Sequence, residues 1–135
     1  MLPIKWDEKY SVHVKEIDNQ HKDLFSLFNK LQNGMTTGTS KVELEQILTE
    51  LIDNTVIHFA TEEKLMQRFS YIGYIEHKRT HDNLIAEAKD LQEKFSHGKI
   101  VLSEEVSLFL SDWLTDHIID IDKKYGPLFK SNGMS

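Results

Sequence analysis

Residues 40–69 read SKVELEQILTELIDNTVIHFATEEKLMQRF, and this stretch decides the fold. Leu44, Ile47, Leu48, Leu51, Thr55, His58, Phe59, Glu62, Leu65, Met66 and Phe69 recur at three- and four-residue intervals, the period of one face of an α-helix. Ser40-Lys41-Val42-Glu43 in front of them has the form of a capping box, in which serine and glutamate satisfy each other's free backbone donors. The apolar face nevertheless carries an imidazole, His58, and a carboxylate, Glu62, one turn apart.

The same pattern extends in both directions. Upstream, Asp18 is a candidate N-cap, followed at helical spacing by His21, Leu24, Phe25, Phe28, Leu31 and Met35; Gly34 to Ser40 reads as a loop. Downstream, Gly73 interrupts the period. A third stripe follows in His77, His81, Leu84, Ile85, Ala88, Leu91 and Phe95, with Gly98 behind it. Ser103-Glu104-Glu105 places a cap and two acids at the start of a fourth helix, where the helix dipole favours them. Its stripe is Val106, Phe109, Leu110, Trp113, His117 and Ile118, and Gly126-Pro127 ends it. The expectation is an all-α, up-down-up-down antiparallel four-helix bundle with helices over about 18–36, 41–69, 75–96 and 104–124. An irregular N-terminal arm, 1–17, would pack against it through Trp6, Tyr10 and Val12, and the whole of 1–135 would be one domain.

Composition narrows the function. No apolar run approaches the roughly 20 residues of a membrane span, and the N-terminus lacks a run of signal-peptide length. Absence of cysteine excludes disulfides, thiolate metal sites and a cysteine nucleophile. A net charge of -6 without a clustered basic stripe argues against nucleic acid as a partner. A stand-alone cytoplasmic protein, monomeric and without a membrane partner, is the expectation.

Buried imidazoles and carboxylates need partners, because an unpaired one costs several kcal/mol. His21 and His77 with His81 lie near the starts of helices one and three; His58 with Glu62, and His117, lie toward the ends of helices two and four. In an antiparallel bundle those starts and ends meet, so six side chains converge in one layer. Such a layer is suited to metal. Residues four apart share a helix face, so His58 with Glu62 and His77 with His81 each offer two ligands to one side of a cavity. This number of ligands exceeds the four of a structural zinc site and points to two ions. A seventh ligand is open on periodicity alone. Asp120 stands three residues after His117, whereas Asp122 stands five after it, about 140° around a regular helix. Asp122 would require a π-type or unwound turn. His13 and His97 lie outside the stripes and read as surface residues.

Asp18-Asn19-Gln20-His21-Lys22-Asp23-Leu24, His58-Phe59-Ala60-Thr61-Glu62-Glu63, His77-Lys78-Arg79-Thr80-His81 and Trp113-Leu114-Thr115-Asp116-His117-Ile118, with Asp122 and Tyr125, together resemble the motif set of the hemerythrins, closest to the single-domain bacterial form. The resemblance runs from Trp6 to Pro127 and rests on the conjunction, since any one His-x-x-x-His is weak. One departure is His13, near which the family carries a small residue. The resemblance implies two iron ions: His77, His81 and His117 on one, His21 and His58 on the other, with Glu62, Asp122 and an oxo or hydroxo group bridging. It thereby favours Asp122 over Asp120. One iron is then full and the other has an open position where dioxygen is expected to bind. Leu24, Phe25, Phe59, Trp113, Leu114 and Ile118, each within a turn of a ligand, are core residues that would also wall the oxygen pocket, and Tyr125 would stand behind Asp122. The implied role is reversible oxygen binding for storage, transport or delivery, without catalysis, with an oxygen-consuming enzyme as recipient. An oxygen or redox sensor module and a diiron oxidase or peroxidase are the alternatives; the imidazole-rich ligand set, without the Glu-x-x-His motif of ferritin-like enzymes, favours binding.

Overall fold

In the computed structural model, which describes residues 4–102, 104–117 and 122–133, the Ser40 hydroxyl accepts a hydrogen bond from the Glu43 backbone N–H at 3.3 Å and starts the long second helix. Helix α1 spans Lys15–Thr37, α2 Lys41–Arg68, α3 Tyr74–Ser96 and α4 Glu104–Asp116; a short α5, Gly126–Ser131, follows. The first four form the antiparallel bundle, with α1 packed along α2 and touching α4, and α2 packed along α3. No strand occurs among the described residues, and no described helix is long and apolar enough to cross a membrane. Phe28, Leu31 and Leu48 are essentially sealed from solvent in the main core; each such side chain contributes roughly 1.5–3 kcal/mol by leaving water.

Several boundaries differ from the sequence reading. α1 starts at Lys15 rather than near 18, and Asp18 is not its cap. The Asp18 carboxylate instead accepts from the Ser11 hydroxyl at 2.6 Å and the Val12 backbone N–H at 2.9 Å, fastening the arm to the first turn of the helix. The arm therefore ends at Val14, and it is not wholly irregular: Glu8–Tyr10 form a 3-10 turn capped by Asp7. α2 stops at Arg68 and α3 begins at Tyr74, each within a residue of expectation. α4 does not continue to 124. It ends at Asp116, His117 lies in a wider π-type turn, and Asp122–Lys124 make a 3-10 turn. Gly126-Pro127, read as a stop, instead open α5, where a proline without an N–H is tolerated in the first turn. Ser103, Ile118, Asp120 and Ile121 lie outside the described residues.

The arm and α5 seal one end of the bundle. Val12, Val14, Ile17, Met66, Tyr125 and Phe129 form a second buried cluster there. Gly126 is closely packed against backbone, since a β-carbon on it would stand 2.8 Å from the Val12 carbonyl oxygen. That oxygen belongs to backbone held by Asp18 and cannot swing aside. Gly126→Ala is therefore expected to cost about 1–3 kcal/mol, measured by chemical denaturation; an unchanged midpoint would mean that the arm yields.

Candidate metal centre

Five imidazoles from four segments turn their Nε2 atoms toward two carboxylates in one buried layer. His21 comes from α1, His58 and Glu62 from α2, His77 and His81 from α3, and His117 and Asp122 from the break after α4. All seven are buried, and Glu62 and Asp122 are fully inaccessible. Asp122 Oδ1 lies 2.9 Å from His77 Nε2 and 2.8 Å from His117 Nε2, while Oδ2 lies 3.0 Å from His21 Nε2. His58 Nε2 lies 2.9 Å and His81 Nε2 3.6 Å from Glu62 Oε1. His81 Nε2 and His117 Nε2 face each other at 3.1 Å.

Hydrogen bonding alone accounts poorly for this packing. Despite their proximity, His58 Nε2 and Glu62 Oε1 are not aligned for a hydrogen bond, and both lack a hydrogen-bond partner among the described residues. Buried polar atoms left over in this way mark a site for another group. The distances suit metal. Neighbouring ligands of an ion held at about 2.1 Å stand roughly 3 Å apart at right angles, close to the 2.8–3.1 Å separations found here. The donor atoms fall into two groups, Glu62, His77, His81, His117 and Asp122, and His21, His58, Glu62 and Asp122, each with its ligand atoms within 4.8 Å of one another. Glu62 and Asp122 are common to both.

The charge balance agrees. Burial and the neighbouring His117 and His77 push the His81 imidazole down to about 2, so it stays neutral as a ligand must. For His117 and His58, burial is outweighed by Asp122 and Glu62, and their protonated forms are favoured. Burial would raise the Asp122 carboxyl, but His117, His21 and His77 hold it well below the usual range. A cation held by His58 and His117 would displace the protons that these neighbouring carboxylates favour.

Two contacts outside the layer escape sequence reasoning. His58 Nδ1 meets the Gln20 amide oxygen at 2.5 Å, and His81 Nδ1 meets Glu63 Oε2 at 2.9 Å. A neutral ring that gives its Nδ1 proton to such an acceptor presents a bare Nε2 to the layer. Their signal was adjacency, Gln20 beside His21 and Glu63 beside Glu62. Tyr125 lies against the ligand layer: its backbone N–H donates to the Asp122 carbonyl at 3.3 Å, its hydroxyl donates to Glu62 Oε2, and its ring stacks on His77. A small cavity of about 10 Å³ is lined by His21, Leu24, His58, Phe59, Trp113, Leu114, His117 and Asp122. Phe25 does not reach it. That ring packs against Trp6 and Tyr10 under the arm. Ile118 is outside the described residues, and His13 and His97 are exposed.

Fold and cluster define a four-helix bundle whose buried histidines and carboxylates could hold metal cations. The family model described as "Hemerythrin HHE cation binding domain" matches residues 12–129, and the chain belongs to the hemerythrin family. It is 39% identical over 119 residues to a bacteriohemerythrin of Methylococcus capsulatus, covering 88% of this chain and 90% of that protein. A hemerythrin-like protein of Naegleria gruberi is 33% identical over 123 residues, 91% of each chain. The crystal structure of a wild-type hemerythrin superposes with a TM-score of 0.89 at 37% identity, covering 94% of this chain and 98% of that one.

Proposed function

We propose that the centre holds two iron ions and binds dioxygen reversibly. His77, His81 and His117 serve one ion, His21 and His58 the other, and Glu62 and Asp122 lie between the two. An iron pair in this setting supplies an open coordination position and two electrons for a bound oxygen molecule. The observation that carries the reading is an asymmetry. The two-histidine group has four donor residues against five in the other, and the cavity is walled by both of its histidines. An open position on that ion would face this space, which His117 and Asp122 also line.

Around that space the protein excludes water. Leu24, Phe59, Trp113 and Leu114 give it apolar walls, and its volume of about 10 Å³ is at the lower limit for one water-sized molecule. Tyr125 donates to Glu62 Oε2 and fixes that carboxylate. The small size of this space favours a diatomic ligand over an organic substrate, and so binding over oxidase or peroxidase turnover. A sensor module would share this site, and a signalling partner would distinguish it.

Anaerobic iron-loaded protein titrated with oxygen should gain a visible absorption that purging with inert gas removes. A permanent oxidised product with turnover of an added reductant would replace the carrier reading with the enzymatic one. Leu24→Ala widens the cavity at a stability cost of about 2–5 kcal/mol. It should speed autoxidation several-fold while iron stays at two per chain; an unaltered rate, followed optically, would show that Leu24 does not guard the site.

A further inference from the structure

The imidazoles differ in what their outer nitrogen meets. His21 Nδ1 and His117 Nδ1 are buried and have no partner among the described residues. His58 Nδ1 faces the neutral amide of Gln20. His81 Nδ1 faces a carboxylate, Glu63 Oε2, at 2.9 Å. Phe59 stacks flat on the His81 ring, with centroids 3.7 Å apart and 4° between planes, so the ring is not free to turn from this partner. The Glu63 side chain is 19% exposed, which leaves its charge only partly screened. Its other oxygen lies 3.9 Å from Lys78 Nζ, which Asp82 holds at 3.0 and 3.1 Å on the exposed side of the helix.

We propose that Glu63 is a positioning residue that keeps the His81 proton on Nδ1, leaves Nε2 bare for metal, and biases the ion served by His77, His81 and His117 toward its oxidised state. This rests on the metal-centre reading given above. A carboxylate accepting from Nδ1–H makes the imidazole a stronger electron donor and sets a negative charge beside the ion, and both favour the higher metal charge. Lys78 opposes part of that charge. The two ions of the pair are thereby made unequal by one residue that touches neither.

Three variants separate these effects. Glu63→Gln keeps an acceptor and removes the charge, Glu63→Ala removes both, and Lys78→Met removes the opposing cation. Spectroelectrochemical titration of the iron-loaded protein should give a higher midpoint potential for Glu63→Gln and a lower one for Lys78→Met than for the parent. In Glu63→Ala iron should dissociate about 10–100-fold faster. Nitrogen-15 NMR of the metal-free full chain should find His81 protonated on Nδ1 in the parent and in Glu63→Gln, but in mixed or reversed form in Glu63→Ala. Equal potentials for Glu63→Gln and parent at equal iron content would overturn the electrostatic bias. An unchanged tautomer in Glu63→Ala would overturn the positioning role. If Glu63→Gln retains no iron, the direction of the Lys78→Met shift decides. A parent that takes up no iron pair fails the metal reading itself, and the tautomer measurement still stands apart from it.

Discussion

Replacing Asp122 with alanine is expected to empty the centre, from two irons per chain to almost none by elemental analysis. Asp122 is fully buried and presents one oxygen to His77 and His117 and the other to His21, so it serves both donor groups at once. Residues that merely orient a ligand contribute 10–100-fold to metal affinity; loss of a carboxylate shared by two ions should exceed about 100-fold. The metal-free variant also suffers, because three buried imidazoles lose their acceptor at roughly 1–3 kcal/mol for each group left unsatisfied. Asp116→Ala, one residue before His117 but exposed, is the control and should retain both iron and stability. Two irons retained in the Asp122 variant would remove this residue from the ligand set and leave Glu62 as the only shared carboxylate.

Stripping the metal should have the second largest effect. The donors come from α1, α2, α3 and the segment after α4, so bound ions would add a tie between parts of the chain that already meet through packing and a few polar contacts. Free metal at about a thousand times its dissociation constant adds about 4 kcal/mol to folding. For a domain of this size that is roughly 10–15 °C in melting temperature. Calorimetry of loaded and chelated protein measures it directly. Coincident melting curves would mean that the cluster is preformed and indifferent to its occupant, contrary to the unpaired His58 and Glu62 atoms.

The bundle was legible because each helix carries its own period, and the meeting of the histidines followed from antiparallel topology alone. The features that stayed hidden depend on one residue of offset. Gln20 and Glu63 each stand one position outside the buried stripe, and whether such a residue turns toward a neighbouring ring is set by how two helices rotate against each other. Phe25 is the converse case. It shares a stripe with His21, but the arm offered it Trp6 and Tyr10, and it faces them rather than the cavity. The start of α1 was misplaced for a similar reason. Asp18 has the chemistry of a cap, and its acceptors were claimed by Ser11 and Val12 of the arm. At the end of α4, spacing left Asp120 and Asp122 open. Asp122 is the one among the described residues, and it enters the cluster from a 3-10 turn beyond a break in the α-helix.

The contact between His21 and Asp122 joins positions 101 residues apart. Chains emerge from the ribosome amino-terminus first, at about 5–20 residues per second, so five of the seven donors leave the ribosome well before His117 and Asp122. A partial bundle of α1 to α3 can form early from contacts close in sequence. It would expose imidazoles and one carboxylate as an open, incomplete claw. The final stretch brings the last histidine, the shared aspartate, the tyrosine that fastens Glu62 and the α5 plug, in that order. The stretch from His117 on therefore supplies both the donors still missing from the layer and the residues that close that end of the bundle.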